Sequence, residues 1–144
     1  MPIFWRPQLK IGHPDIDADH RYLILLINTV ELVLRFPEKP EHIQMALQEL
    51  RHYAVTHFDR EERIQIAWGY PHLDLHKVEH RNLMEALDAL IARLDKLLTR
   101  PGADLSEISA QGQEITTFLR SWLVDHVLKA DMHMAEMFKK PKLV

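Results

Sequence analysis

Four amphipathic blocks, separated by proline and glycine, determine what this chain of 144 residues can fold into. Within each block, apolar residues recur every three or four positions, which places them on one face of an α-helix. The predicted helices cover about residues 17–36, 40–67, 73–99 and 105–138, and an extended N-terminal arm with three prolines covers residues 1–15. Because short connections make successive helices antiparallel, the sequence predicts an all-α, up-down-up-down four-helix bundle. We expect residues 1–144 to form a single domain.

Seven polar residues lie on the inward faces of these predicted helices, among aliphatic neighbours. They are His20, His57, Glu61, His76, His80, His126 and Asp131. Residues four apart, such as His57 and Glu61 or His76 and His80, share a helix face and can reach one ion or two adjacent ions. In an antiparallel bundle all seven positions meet at one end. Since an unpaired buried carboxylate costs several kcal/mol, the pattern indicates a buried centre of two metal ions rather than ordinary core histidines.

The spacing of His126 and Asp131 differs from that of the other pairs. Five residues advance a regular α-helix by roughly 140° beyond a full turn, so both side chains cannot point inward on an ideal helix. The inward pattern resumes after the break with Asp131, Met134 and Phe138. We therefore predict a π-bulge or a kink between His126 and Asp131, a feature that is common at functional sites.

The remaining five histidines receive no metal role. They are His13, His42, His52, His72 and His133. His42, His72 and His133 are expected to face solvent or to lie at helix ends. Glu49 and His52 match the Glu-x-x-His motif of carboxylate-bridged di-iron bundles, but that arrangement needs two copies. Only one copy is present, so we interpret this match as coincidence.

Composition restricts the partners and the compartment. A formal net charge of -3 with both signs interspersed provides no basic patch for nucleic acid. The chain has no cysteine, which is compatible with a reducing interior. We find neither a leader pattern nor an apolar stretch long enough to insert into a membrane, and we expect a cytoplasmic protein. We also expect a monomer, because the four inward faces can cover one another within one bundle.

The residues around the seven polar positions form an ordered set of motifs. They are Trp5, Gly12, Ile16-Asp17-Ala18-Asp19-His20, His57-Phe58-Asp59-Arg60-Glu61-Glu62, Tyr70-Pro71, His76-x-x-x-His80, Trp122-Leu123-Val124-Asp125-His126 and Asp131. On these motifs the chain resembles hemerythrin over nearly its whole length, in particular the single-domain bacteriohemerythrins. It departs from the family pattern at His13, where an aliphatic residue is common, and at Ile66, where methionine is frequent. These departures concern fine tuning, because neither position belongs to the seven.

The resemblance implies a non-haem di-iron centre with an oxo or hydroxo bridge. It assigns His76, His80 and His126 to one iron. It assigns His20 and His57 to the other iron, and it makes Glu61 and Asp131 bridges between the two. The iron with two histidines then keeps an open position for dioxygen. The implied function is reversible dioxygen binding for carriage, storage or delivery, and not an enzymatic reaction.

Apolar side chains are expected to surround the dioxygen position. They are Leu23, Phe58, Trp122, Leu123 and Val127, together with Ile24. A dry pocket excludes proton donors that would favour oxidation to inert ferric iron. We hypothesise that Leu23 and Leu123 lie closest to bound dioxygen.

Three alternative functions stay open on the sequence. The chain is compatible with an oxygen or redox sensor that acts through a separate signalling partner. It is also compatible with a di-iron redox enzyme for peroxide or nitric oxide chemistry, and with iron storage. A carrier would instead supply dioxygen to an oxygen-consuming enzyme.

Overall fold

The helices follow one another in the predicted order. In the computed structural model, which describes residues 2–139, the first three are α1 (Pro14–Arg35), α2 (Pro40–Trp68) and α3 (Leu73–Thr99). The fourth helical region consists of α4 (Leu105–Ala110), α5 (Gly112–Arg120), a π-helical turn (Ser121–Asp125), α6 (His126–Lys129), a 3-10 turn (Asp131–Met134) and α7 (Ala135–Phe138). A short 3-10 turn in the N-terminal arm spans Pro7–Leu9.

Successive helices run antiparallel, as the contacts between α1 and α2 illustrate. Asp19 of α1 lies against His57 of α2, at 2.9 Å between Oδ2 and Nδ1. Further along α1, the ring of Tyr22 lies 4.4 Å from that of Tyr53, which is earlier in α2. α2 packs in turn against α3, and α1 packs against α5. The predicted all-α fold class is confirmed, with the helices arranged as a bundle.

α1 begins at Pro14, earlier than the predicted residue 17, so the arm is shorter than expected. Proline suits this first helical position because its φ is already helical and its missing N–H would have no partner there. Nδ1 of His13 accepts a hydrogen bond from the N–H of Asp15 at 3.2 Å. The carboxylate of Asp17 accepts one from the N–H of Ile11 at 2.7 Å. These bonds fix the angle at which the arm meets the helix.

The backbone departs from α-helical geometry on both sides of His126. The π-helical turn ends at Asp125, directly before His126. After His126, the backbone of Ala130 has φ −110° and ψ −57°, and the 3-10 turn begins at Asp131. The expected irregularity between His126 and Asp131 is therefore a change from α-helix to 3-10 helix. The π-helical geometry lies one turn earlier than predicted.

The reason for the earlier π turn lies in the buried face of this region. Leu119, Leu123, Val127 and Asp131 are all buried, and each follows the previous one by four residues. A regular α-helix with 3.6 residues per turn would rotate such a series away from the core, whereas a π turn contains more residues and keeps it inward. The sequence shows that the pitch must change but does not show at which turn.

One apolar core fills the inside of the bundle. Its fully buried members include Leu23, Ile27, Leu34, Ile43, Leu47, Leu50, Leu87, Leu94, Ile115 and Leu119. These residues follow the three-and-four spacing that predicted the helices. Within residues 2–139, no helix has both the length and the apolar character that crossing a membrane requires.

Candidate metal centre

The structure brings all seven predicted polar residues to one end of the bundle. α1 supplies His20, α2 supplies His57 and Glu61, α3 supplies His76 and His80, and the fourth helical region supplies His126 and Asp131. None of the seven has more than 5% of its surface exposed. All four helical regions therefore contribute to a single buried polar site.

The two carboxylate oxygens of Glu61 face different histidines. Oε1 lies 2.7 Å from Nε2 of His76 and 3.1 Å from Nε2 of His80. Oε2 lies 3.1 Å from Nε2 of His57 and 3.7 Å from Nε2 of His20. Glu61 therefore stands between two sets of imidazoles and turns one oxygen to each.

Asp131 divides its oxygens in the same way. Oδ1 lies 2.8 Å from Nε2 of His76 and 2.9 Å from Nε2 of His126. Oδ2 lies 3.1 Å from Nε2 of His20. The donor atoms thus form two groups that share both carboxylates, and within each group they lie within 4.8 Å of one another. One group contains Glu61, His76, His80, His126 and Asp131, and the other contains His20, His57, Glu61 and Asp131.

Several donor atoms in this site are buried without a hydrogen-bond partner, which tests whether cations fit. They are Nε2 of His20, His57 and His126, Oε2 of Glu61 and Oδ2 of Asp131. Leaving a buried polar atom unsatisfied costs about 1–3 kcal/mol. Imidazole nitrogens and carboxylate oxygens are donors that divalent transition metals accept. The residues present therefore fit a pair of cations, one in each group.

The pKa values of the site favour ionised carboxylates, which are the form that binds cations. Burial opposes a charge on His20, but bonds to Asp131 and Glu61 outweigh burial and raise its pKa to about 10. The same balance of burial against Asp131 and Glu61 raises the pKa of His76 to about 10. Burial also opposes ionisation of Glu61, but bonds from His20 and His57 hold its pKa well below the usual value. Positive charge on the histidines compensates the carboxylates where metal ions would otherwise do so.

Three acidic residues outside the predicted seven contact the outer nitrogens of histidines. Oδ2 of Asp19 lies 2.9 Å from Nδ1 of His57, and Oε2 of Glu62 lies 2.8 Å from Nδ1 of His80. The third contact is between Oε1 of Glu79 and Nδ1 of His126, at 3.2 Å but without the alignment of a hydrogen bond. A carboxylate in this position fixes the orientation of an imidazole and makes it a better donor.

These acids were missed by the sequence reasoning, although each adjoins a predicted residue in the chain. Asp19 precedes His20, Glu62 follows Glu61, and Glu79 precedes His80. Each acid serves a histidine of the next helical region rather than its own neighbour. An acidic residue beside a predicted ligand is therefore the signal that would have found them.

Asp19 is the most firmly held of the three acids. It accepts a hydrogen bond from the hydroxyl of Tyr53 at 2.6 Å, and it also bonds to the guanidinium of Arg60. Burial raises the pKa of Asp19, but the bonds from His57 and Tyr53 outweigh it and lower the pKa below the usual value. Asp19 is therefore a charged, fixed partner for His57.

A small cavity lies against His20, on the side of the group with two histidines. It is lined by Trp5, Leu9, His20, Ile24, Leu123, Val124 and Val127. About 10 Å³ of it is open to the centre of a water-sized molecule, which is room for about one such molecule. Apart from the ring of His20, the lining consists of aliphatic side chains and the aromatic side chain of Trp5, so the cavity favours a small uncharged molecule over water.

Three of the six apolar residues predicted around the dioxygen position, Ile24, Leu123 and Val127, line this cavity. Phe58 instead stacks on the ring of His80, with centroids 4.1 Å apart. Trp122 and Leu23 are buried in the core, outside the lining. The predicted proximity of Leu23 and Leu123 to dioxygen stays a prediction, and the cavity favours Leu123.

The N-terminal arm also contributes to the cavity, through Trp5 and Leu9. Two hydrogen bonds of 2.8 Å join the backbone of Ile3 to the side-chain amide of Asn28 in α1. The guanidinium of Arg21 lies 4.7 Å from the centre of a Trp5 ring. The sequence did not indicate this role, because the arm has no helical periodicity.

None of the five histidines without a predicted metal role belongs to either donor group of residues 2–139. His13 caps α1 and its ring lies 5.2 Å from that of Phe138. His42, His52, His72 and His133 are exposed.

The helical bundle and its buried histidine-carboxylate cluster define a class of cation-binding bundle proteins. The family described as "Hemerythrin HHE cation binding domain" matches residues 12–138. The chain therefore belongs to the hemerythrin family, and the resemblance stated from the sequence is confirmed.

Relatives and solved structures agree with this assignment. A bacteriohemerythrin of Clostridium acetobutylicum is 28% identical over 134 residues, which cover 88% of this chain and 94% of the relative. A bacteriohemerythrin of Methylococcus capsulatus is 30% identical over 115 residues, which cover 80% of this chain and 79% of the relative. The crystal structure of a wild-type hemerythrin superposes with a TM-score of 0.79 at 22% identity, covering 97% of this chain and 100% of that one. The structural likeness supports the fold alone.

Proposed function

We propose that this protein binds dioxygen reversibly at a centre of two iron ions and serves in oxygen carriage, storage or delivery. The observation that carries the proposal is the small apolar cavity against His20. This cavity adjoins the donor group with two histidines, which offers four residues where the other group offers five. The names of the bacteriohemerythrin relatives support the same function.

The proposed ligand roles follow from how the carboxylates divide their oxygens. His76, His80 and His126 would hold one ion. His20 and His57 would hold the other. Glu61 and Asp131 would contribute to both, because each turns one oxygen to each group of histidines.

When bound, the two iron ions supply the electrons for reversible binding of dioxygen. The protein favours reversibility over oxidation through its ligand set, in which five neutral imidazoles outnumber two carboxylates. More carboxylates would add negative charge and stabilise the higher oxidation states that oxidation catalysis needs. Neutral imidazoles limit that stabilisation.

The cavity lining controls what reaches the two-histidine group. Ile24, Leu123 and Val127 surround a space with room for about one small molecule. Water gains few hydrogen bonds in such a space, so proton donors are largely kept from the site. An uncharged diatomic molecule needs no hydrogen bonds and enters without that penalty.

The outer carboxylates hold protons at defined atoms. Asp19 keeps a proton on Nδ1 of His57, which leaves the lone pair of Nε2 directed into the site. Glu62 does the same for His80. These contacts prepare both imidazoles as neutral donors, the form that binds metal.

Replacing Leu123 with alanine tests the proposed dioxygen cavity. The shorter side chain enlarges the cavity and admits water, so the oxygenated, iron-loaded protein should convert to the ferric form several times faster than wild type. The conversion is followed by the decay of its visible absorption. Leu87→Ala is the matched control, because Leu87 is fully buried in the core but lies outside the lining. Equal rates in both variants would contradict the placement of dioxygen in this cavity.

The same preparations distinguish the alternative functions. Sustained turnover of peroxide or nitric oxide with a reductant would identify a redox enzyme instead. Iron that exchanges readily and forms no stable oxygen adduct would identify storage. The cytoplasmic location and the single-domain extent expected from the sequence stay predictions.

A further inference from the structure

A second apolar stripe runs along the outer face of α1, opposite the face that lines the core. It consists of Tyr22, Leu25, Thr29, Leu32 and Phe36, and we call it the α1 stripe. Successive members are three, four, three and four residues apart, the spacing of the contact positions of a coiled coil. Tyr22 is 40% exposed, Leu25 56%, Leu32 58% and Phe36 68%. Such a face normally packs against another helix.

We propose that the α1 stripe pairs with the α1 stripe of a second copy of this chain, in antiparallel orientation, to form a two-fold symmetric dimer. The order of side-chain types along the stripe is the same from either end: aromatic, leucine, threonine, leucine, aromatic. Tyr22 and Phe36 each lie seven residues from Thr29, and Leu25 and Leu32 lie four and three residues from it. In an antiparallel pair, Tyr22 meets Phe36 of the other copy and Leu25 meets Leu32. Thr29 meets its own counterpart on the two-fold axis. A self-matching surface is the requirement of an isologous interface.

The centre of the stripe can be buried without leaving a polar group unsatisfied. The hydroxyl of Thr29 donates a hydrogen bond of 2.8 Å to the carbonyl of Leu25 in its own helix. α1 ends at Arg35, and the N–H of Phe36, the residue directly after it, still bonds to the carbonyl of Leu32 at 3.1 Å. Only the hydroxyl of Tyr22 is polar at either end, and it lies at the rim.

No member of the stripe is charged, and the charges beside it already have partners. The guanidinium of Arg21 lies over Trp5, and that of Arg35 pairs with Glu31 at 3.2 Å. Ion pairs between copies are therefore not needed for pairing. Association should persist at high salt, because apolar burial rather than charge drives it.

The exposed apolar area indicates the strength of the pairing. Phe4 adds to the apolar surface beside the stripe, because it is 74% exposed and follows Ile3, which is hydrogen-bonded to Asn28 of α1. With Phe4, the stripe exposes roughly 500 Å² of apolar surface per copy, so a dimer would bury roughly 1,000 Å² in total, the lower end for specific interfaces. This area predicts a weak dimer that depends on concentration. The expectation of a monomer considered the inward faces alone and did not take this outer stripe into account.

Sedimentation equilibrium of the iron-loaded protein from 1 µM to 1 mM tests the proposal. The mass should rise with concentration from 17.0 kDa towards twice that value. Leu32→Glu should stay monomeric. Ile66→Glu should behave as wild type, because Ile66 is 59% exposed, as Leu32 is, but lies on α2. A wild-type mass that stays monomeric at 1 mM, or a Leu32→Glu variant that still dimerises, would overturn the proposal.

Single cysteines test the antiparallel register, since the chain has none of its own. Under mild oxidation Thr29→Cys should form a covalent dimer, because two Thr29 residues face each other within disulfide range. Leu25→Cys should not crosslink with itself but should crosslink when mixed with Leu32→Cys. Efficient self-crosslinking of Leu25→Cys, or none of Thr29→Cys, would rule out this arrangement. The result is independent of whether iron-bound dioxygen is released or consumed.

Discussion

At the scale of single residues, three outer acids connect three of the five site histidines to a neighbouring helical region. Asp19 of α1 serves His57 of α2, and Glu62 of α2 serves His80 of α3. Glu79 of α3 approaches His126 of the fourth helical region. His20 has no such partner on its Nδ1 within the described residues. The imidazole of His20, beside the cavity, is therefore held less firmly than those of His57 and His80, whose Nδ1 atoms are hydrogen-bonded.

Asp19→Asn should weaken metal binding by the group with two histidines. The amide cannot supply the negative charge that holds the proton on Nδ1 of His57, and loss of such a partner typically costs 10–100-fold in metal affinity, on the order of the effect expected here. Titration of the metal-free protein against a competing chelator measures the change. Asp59→Asn is the control, since Asp59 lies on the same helix in an exposed pair with Arg63. Equal affinities for the two variants would contradict the proposed role of Asp19.

Metal loading should release protons at pH 8. In the metal-free protein the pKa of His20 and that of His76 are raised to about 10, so both rings are charged at pH 8. Metal binding needs neutral imidazole, so about two protons should appear per loaded chain from these residues. The release should fall as the pH rises through about 10, where the rings lose their protons before metal arrives. An indicator dye in weak buffer measures it, and loading at pH 8 without proton release would contradict these raised pKa values.

At the scale of helices, the spacing of apolar residues predicted where the helices lie better than it predicted where the backbone departs from a regular α-helix. α2 begins at Pro40 and α3 ends at Thr99, as predicted, because proline and glycine mark these boundaries clearly. Asp104 caps α4 by accepting a hydrogen bond from the N–H of Ser106 at 2.9 Å. The periodicity shows which residues lie on the inward face of each helix. Together with the antiparallel order of the helices, it therefore placed all seven polar residues at one end of the bundle.

What the sequence did not locate depends on contacts between elements. The turn at which the last helix changes pitch depends on how Leu119 and Leu123 fit against the rest of the core. The cover of the cavity depends on the arm, whose Trp5 and Leu9 follow no regular spacing. The pairing of Asp19 with His57 joins two helices. A pattern within one segment carries no direct information on such contacts.

Insertion of one alanine after Ser121 should uncouple His126 from the core. Ser121 is exposed and begins the π-helical turn, which already holds one residue more than an α-helical turn, so a further residue rotates His126 by roughly 100° relative to Leu119. Because one of these buried side chains must then leave its place, the free energy of unfolding should fall by roughly 2–5 kcal/mol. Metal affinity should fall as well. Urea unfolding of the metal-free protein measures the stability.

The matched control for this insertion is one alanine added after Ala103, in the connection between α3 and α4. That connection is a turn at the surface, where an added residue changes no helical phase. A loss of stability with the insertion after Ala103 as large as with the insertion after Ser121 would contradict this coupling of His126 to the core.

At the scale of the whole molecule, the site and the cavity lie together at one end of the bundle. Residues from all four helical regions converge on Glu61 and Asp131, and the arm covers the cavity beside His20. A small uncharged ligand therefore reaches the two-histidine group through apolar surroundings. The α1 stripe lies on the outside of the same molecule and leaves this path unchanged.

Reversible oxygenation is the central claim, and a single optical experiment tests it most directly. Iron-loaded protein is reduced without oxygen, titrated with dioxygen and then purged with argon. A visible charge-transfer band should appear, reach its full intensity at one dioxygen per two irons, and vanish on purging. Direct conversion to a ferric form that purging does not reverse would contradict the account.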